Sequence, residues 1–219
     1  MKAMILAAGR GERLRPLTDA VPKALIEVGG QTLLERHLAS LREAGISDVV
    51  INLGWLGDRI VERIGSGSHY GLSIEYSAEG DHVLETGGGI HHALPMLGKQ
   101  PFLVVNADIY TDMPVPQLVL DENALGHLVL VPSPDYRESG DFDLEHGLVR
   151  NSATASLTFS GVSMYRPEFF DVCEAGRFSI VPMLRDAADD GCLQGSVYDG
   201  YWADVGSPER LAAIRAVSR

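Results

Sequence analysis

Apolar runs alternate with amphipathic ones along the chain. Ala3–Ala8 is short and continuously apolar, which predicts a strand buried on both faces. Thr32–Ala44 places Leu33, Leu34, Leu38 and Leu41 on one helical face and stops at Gly45. Asp48–Leu53 predicts a strand, Leu56–Ile64 a helix ended by Gly65, Leu72–Ser77 a strand and Gly88–Leu97 a helix. Phe102–Asn106 (FLVVN) reads as another buried strand, Pro116–Glu122 as a short helix and Gly126–Val131 as a strand. Strands alternating with helices of this length predict right-handed βαβ units. The expected fold is α/β, a doubly wound, mostly parallel, Rossmann-like sheet. Ligands of such sheets bind beyond the carboxyl ends of the strands.

The pattern changes after Pro132. Phe142–Glu145, Leu148–Arg150 and Ala155–Tyr165 predict hairpin strands. Helices over Pro167–Glu174 and Ser179–Asp190, a strand near Ser196–Tyr198 and a last helix from Pro208 follow. No linker or repeat interrupts the 219 residues, so one domain is expected. Residues 1–131 would form a nucleotide-binding half, and residues 132–219 a small acceptor-side β/α subdomain on the same sheet.

Composition narrows the function. A formal net charge of -12 disfavours nucleic acid or an anionic membrane surface as the main partner. It also makes the few basic clusters conspicuous. No apolar stretch approaches the roughly 20 residues of a membrane span, and the short run at the N-terminus reads as a strand rather than a signal peptide. Cys173 and Cys192 share no metal-ligand spacing, which fits reduced thiols and a cytoplasmic location. His82, His91 and His92 lack ligand spacing and read as ordinary histidines. No obligate protein partner is evident.

The first strand runs into Leu6-Ala-Ala-Gly-Arg-Gly-Glu-Arg-Leu-Arg-Pro-Leu-Thr18, and Pro22-Lys23 follows. Ala8, Gly9 and Gly11 let backbone approach a polyphosphate. Arg10, Arg13 and Arg15 concentrate positive charge in six residues. Neither a P-loop nor a dinucleotide fingerprint fits, because no Gly-Lys-Ser/Thr is present and Leu14 stands where a third glycine belongs. Gly-x-Gly alone equally suits a tight turn.

Together, Leu6-Ala-Ala-Gly-x-Gly-x-Arg-Leu-x-Pro-Leu-Thr and Pro22-Lys23-Ala-Leu resemble the signature of the sugar-1-phosphate nucleotidylyltransferases. The resemblance covers most of the chain and implies that family's glycosyltransferase-A-like fold. It implies that the glycine-rich loop, including Glu12, wraps a nucleoside triphosphate. Arg13 would hold the pyrophosphate leaving group, and Lys23 would neutralise the reacting phosphates. Leu84-Glu-Thr-Gly-Gly-Gly matches the family's base-contacting loop, which places Thr86 and Gly87 at the nucleotide. Glu85 replaces the usual first glycine there, as in the branch acting on N-acetylmuramic acid 1-phosphate. Glu79 has two readings, an acceptor for uracil N3–H or an exposed loop glutamate.

Two acids follow strands or precede helices, where capping would also explain them. The resemblance links them: Asp108, in Asn106-Ala-Asp, and Asp204, in Trp-x-Asp-Val-Gly, match the pair that holds Mg²⁺ on the α-phosphate. Gly140, Asp141, Asn151, Ser160 and Gly161 fall where the family holds its sugar phosphate; Asp141 and Asn151 read equally well as turn and hairpin residues. The expected partners are therefore UTP and a sugar 1-phosphate, N-acetylmuramic acid 1-phosphate foremost. Transfer would be direct, since no nucleophile–base arrangement is present. The alternatives are a mannose- or glucose-1-phosphate enzyme using GTP or dTTP, and a non-catalytic sugar-nucleotide sensor. No left-handed β-helix is foreseen, and so no acyltransferase activity.

Overall fold

The computed structural model describes residues 1–80 and 83–218; His82 lies outside the described residues. The chain order is β1 (Ala3–Leu6), α1 (Leu17–Ala20), β2 (Glu27–Val28), β3 (Gln31–Thr32), α2 (Leu33–Glu43), β4 (Asp48–Leu53), α3 (Gly57–Ile64), β5 (Ser73–Ala78), α4 (Glu85–Leu97) and β6 (Phe102–Asn106). Then come β7 (Ile109–Thr111), β8 (Gly126–Pro132), β9 (Asp143–Glu145), β10 (Leu148–Arg150), β11 (Leu157–Tyr165), α5 (Val181–Asp189), β12 (Leu193–Val197), β13 (Trp202–Asp204) and α6 (Pro208–Val217).

A nine-stranded sheet runs through both parts of the chain in the order β5-β4-β1-β6-β11-β8-β12-β10-β9. β5, β4, β1 and β6 are mutually parallel, and β12 is parallel to β8. β11 and β10 run against the other strands of this sheet. The α/β, mostly parallel expectation is therefore met.

Alternation along the strands sets the two faces. Ala3 and Ile5 of β1, Val49 and Ile51 of β4 and Leu103 and Val105 of β6 pack with Leu34, Leu38 and Leu41 of α2 and Ile60 of α3. Met4, Val50, Phe102 and Val104 point the other way, onto Ile90, Ala93 and Leu97 of α4 and Leu184 of α5. Leu33, Leu34, Leu38 and Leu41 are fully buried, each contributing about 1.5–3 kcal/mol. Thr32 caps α2 through a reciprocal bond with Glu35, and Ser207 caps α6 by accepting from Arg210 N–H. A third cluster joins Leu14 of the glycine-rich loop to Val205, Leu211 and Ile214. It holds the start of α6 against that loop.

Several elements differ from expectation. α4 begins at Glu85 rather than Gly88, so Gly87 joins Gly88 and Gly89 buried inside its first turns. A side chain at 87 would meet the Phe178 ring, and one at 88 the Gly176 carbonyl. Residues 116–122 form no helix, because Arg166 takes the carbonyls of Leu120, Asp121 and Ala124. The helix over 167–174 shrinks to a 3₁₀ turn at Pro167–Phe170. The last sheet strand lies at Leu193–Val197, upstream of the expected position. Among the described residues no helix is long and apolar enough to cross a membrane.

Candidate active site

A cavity of about 390 Å³ opens at the carboxyl ends of β1, β4, β5 and β6. Leu6, Asn52, Glu79 and Asn106 line it, each from the end of a different parallel strand or just beyond it. This is where such a sheet leaves its helices and strand ends unpaired for a ligand.

The glycine-rich loop forms one wall through Ala8, Gly9, Gly11, Glu12 and Arg13. Gly11 has φ 65, and a Cβ there would come within 2.9 Å of Thr18 and 3.3 Å of Lys23. Only a glycine suits both the backbone and the space. Thr18 Oγ1 donates to the Gly11 carbonyl at 2.8 Å, closing the loop on itself. Arg10 is drawn aside, its guanidinium 4.4 Å above the Trp55 ring. Trp55 in turn donates to the Thr18 carbonyl. Arg15 pairs with Asp19 at 2.7 Å. Of the three arginines, Arg13 lines the cavity.

Lys23 and Asp108, 85 residues apart, meet in the cavity with Nζ 2.5 Å from Oδ2. The lysine side chain is 13% exposed and the aspartate 35%. Asp204 comes from the opposite end of the chain, yet its backbone adjoins that of Asp108. β13 pairs antiparallel with β7 so that Asp204 stands opposite Ile109, and Val205 N–H donates to the Asp108 carbonyl at 2.8 Å. Gly206 completes this wall of the cavity. The Asp204 carboxylate accepts from Arg210 at both oxygens and from the Tyr136 hydroxyl at 2.5 Å. Burial raises its pKa, but the hydrogen bonds from Tyr136 and Arg210 and the charges of Arg210 and Lys23 outweigh this and hold it below the ordinary range. Burial and the Asp204 carboxylate push the Tyr136 phenol up to about 12.

The other end of the cavity is a polar chain. Ala7 N–H donates to Asn52 Oδ1 at 2.6 Å, and Asn52 Nδ2 donates to Glu79 Oε1 at 2.6 Å. Glu79 Oε2 accepts from Leu84 N–H at 2.8 Å. Glu79 is 8% exposed, so it is a fixed acceptor facing the cavity rather than a solvated loop glutamate. Glu85 and Thr86 also line this end. Thr86 Oγ1 accepts from Ile180 N–H at 3.2 Å, tying α4 to the segment before α5. Gly87 faces Phe178 instead of the cavity.

The acceptor-side residues scatter. Asn151 Nδ2 donates to the Arg185 carbonyl and to Asp189, each at 2.8 Å, and Asn151 Oδ1 accepts from Arg185 at 3.0 Å. These bonds pin the end of β10 to α5. Asp141 accepts from Arg137 at 2.6 Å and from Phe159 N–H at 3.0 Å, latching the 133–142 loop to β11. Gly140 is pressed against the Leu157 backbone. Ser160 and Gly161 form a bulge in β11 beside the cavity. A Cβ on Gly161, whose φ is 84, would come within 2.8 Å of the Asn106 side chain. Asn52, Tyr136 and Arg210 are the site residues that sequence reasoning missed. Asn52 alone left a signal, a polar residue at the end of the apolar run VVI.

Among known proteins, the family model described as Nucleotidyl transferase matches residues 2–142. An N-acetylmuramate alpha-1-phosphate uridylyltransferase of Neisseria meningitidis serogroup B (strain ATCC BAA-335 / MC58) is 47% identical, over 100% of this chain and 98% of that protein. A protein of the same name from Caulobacter vibrioides is 34% identical, over 98% of this chain and 95% of that one. The crystal structure of a UDP-glucose pyrophosphorylase complexed with UDP-glucose superposes with a TM-score of 0.79 at 19% identity, covering 98% of this chain and 97% of that one. That likeness speaks to the fold. The class defined here is an α/β nucleotidyltransferase. The chain belongs to the Nucleotidyl transferase family and is an enzyme of that family.

Proposed function

We propose that this enzyme transfers the uridylyl group of UTP to N-acetylmuramic acid 1-phosphate, giving the UDP-sugar and pyrophosphate. The observation that carries this reading is the convergence of Lys23 and Asp108 at 2.5 Å in a cavity whose far end is the fixed carboxylate of Glu79. One end suits phosphates, and the other a base. A carboxylate is an acceptor only, so Glu79 matches the N3–H of uracil and opposes the N3 lone pair of cytosine. The full-length similarity to the Neisseria and Caulobacter proteins supports the choice of sugar.

The donor set at the phosphate end fits a hard divalent cation. Asp108 and Asp204 offer carboxylate oxygens on adjoining backbones. Among the described residues no cluster of three or more His, Cys, Asp or Glu forms a complete cage. Mg²⁺ suits such a pair, since it takes one or two carboxylates and fills its shell with phosphate oxygens and water. Bound there, it would offset repulsion between two anionic substrates and the charge gathering at the α-phosphorus.

The chain's own groups supply the rest. Arg13 and Lys23 hold the triphosphate, with the backbone around Gly9 and Gly11 against it. A phosphate oxygen of the sugar 1-phosphate attacks the α-phosphorus in line. The bond from that phosphorus to the bridging oxygen breaks, and its electron pair leaves with pyrophosphate. Arg13 receives that charge. Positioning and preorganised charge lower the barrier, with no covalent enzyme intermediate. Residues 1–131 hold the nucleotide, and residues 132–219 bring the acceptor through the Ser160–Gly161 bulge. Incubation with UTP, Mg²⁺ and N-acetylmuramic acid 1-phosphate should yield UDP-sugar and pyrophosphate one to one. Release of UMP without sugar nucleotide would contradict this reading.

A further inference from the structure

Asp204 makes an unusual set of contacts for a metal ligand. Asp108 lines the cavity, whereas the Asp204 carboxylate is held between two groups, Tyr136 and Arg210, that do not line it. Arg210, in the first turn of α6, donates to both of its oxygens. Tyr136, from the 133–142 loop, donates to Oδ1 at 2.5 Å. The Arg210 guanidinium lies 4.5 Å above the Tyr136 ring, so the two donors also brace each other. Gly206 leaves room for this arrangement: a Cβ there would come within 2.5 Å of Asp204 Oδ2 and 2.8 Å of Arg210.

The loop that carries Tyr136 is itself fixed. Arg137, its neighbour, forks onto Asp141 with contacts of 2.6 and 3.0 Å. Asp141 also accepts from Phe159 N–H, next to the Ser160–Gly161 bulge. A continuous run of contacts therefore connects the acceptor side of the sheet to Asp204 through Tyr136. Oδ1 accepts from both donors, whereas Oδ2 accepts from Arg210 alone and keeps a second lone pair, so Asp204 remains able to bind a cation through Oδ2.

We propose that Tyr136 and Arg210 are positioning residues for Asp204, fixing its rotamer beside Asp108 and tying that rotamer to the acceptor loop. The proposal rests on the reading of Asp108 and Asp204 as the metal pair. Partners that orient a metal ligand typically change metal affinity about 10- to 100-fold when removed. Tyr136→Phe keeps the ring over Arg210 and deletes one hydroxyl. Arg210→Lys keeps the charge and removes the planar guanidinium that lies over the Tyr136 ring.

The test is Mn²⁺ binding to the full chain in the presence of UTP, followed by electron paramagnetic resonance of free Mn²⁺. The Mg²⁺ concentration for half-maximal rate is measured alongside. Tyr136→Phe and Arg210→Lys should each weaken Mn²⁺ binding about tenfold or more and raise the Mg²⁺ requirement in step. UTP affinity without metal and the melting temperature of Tyr136→Phe should stay at wild-type values. Wild-type Mn²⁺ binding in both variants, beside a defect in Asp204→Asn, would overturn the positioning role alone. Wild-type Mn²⁺ binding in Asp204→Asn would overturn the metal pair and the positioning role together.

Discussion

Replacing Glu79 with glutamine changes one atom of a side chain that is 8% exposed and leaves its volume almost intact. The carboxylate accepts from Asn52 Nδ2 at 2.6 Å on one oxygen and from Leu84 N–H at 2.8 Å on the other. Glutamine has one carbonyl oxygen and one NH₂, so whichever way it turns a donor faces a donor. Loss of one charge-assisted bond and a stranded buried donor costs about 1.5–3 kcal/mol. That corresponds to about 10- to 150-fold in an equilibrium or rate constant. Part falls on folding: at about 2–4 °C per kcal/mol for a chain this size, the melting temperature should drop by about 3–10 °C. Part falls on base selection. If Glu79 reads the base, its carboxylate opposes the N3 lone pair of cytosine, while a glutamine NH₂ can donate to that N3. Steady-state kinetics with UTP and CTP should show kcat/KM for UTP falling about 10- to 100-fold, chiefly through KM, and the UTP preference shrinking. An unchanged ratio of UTP to CTP efficiencies would refute Glu79 as the base reader.

Three other outcomes follow from the same geometry. Asp108→Asn and Asp204→Asn should each remove most Mg²⁺-dependent turnover while circular dichroism stays unchanged; near-normal rates at saturating Mg²⁺ would contradict the metal pair. Arg13→Ala and Lys23→Ala should lower kcat by about two orders of magnitude, as expected when a preorganised charge contact is lost, whereas Arg10→Ala, held over Trp55, should do far less; equal small effects would reduce the loop to a generic basic patch. Glu35 should give a signature in acid: burial raises its pKa, but bonds from Thr32, Arg63 and Tyr70 pull it from 4.5 to about 2. A depressed carboxyl stabilises the fold above its unfolded pKa and loses that contribution as pH falls from about 4.5 toward 2, so wild type should shed about 1–2 kcal/mol over that window, after allowing for solvent screening, that Glu35→Gln does not, as read from urea melts at each pH.

Much of the fold was legible because burial is two-sided. Asp48–Leu53 and Phe102–Asn106 have the bounds their apolar pattern predicts, as does the half-buried Leu148–Arg150. α2 and α6 carry caps that sequence alone marks. The failures have local causes. α4 starts three residues before the expected Gly88, and Gly87 fits inside it because it has no side chain to meet the Phe178 ring. Beyond β7, the Leu120, Asp121 and Ala124 carbonyls go to a distant arginine, which no periodicity reveals. β7 and β13 are three residues each, too short for a period, yet they join the two acids. Asn151 resembles a ligand by position and serves as a strut to α5. Glu85 stands where the resemblance leads one to expect glycine, and its backbone adopts a left-handed φ of 62, with Arg177 paired to its side chain at 2.9 Å.

The choice of substrates is the central claim, and a direct comparison of two pairs tests it. A fixed acceptor at Glu79 also tolerates the N1–H of guanine, so cavity size and full-length similarity must separate UTP from GTP. Pyrophosphate release should give a kcat/KM for UTP with N-acetylmuramic acid 1-phosphate at least about 100-fold above that for GTP with mannose 1-phosphate, the scale of two or more displaced polar contacts. A GTP and mannose 1-phosphate efficiency equal to or above that of the uridine pair would contradict the account.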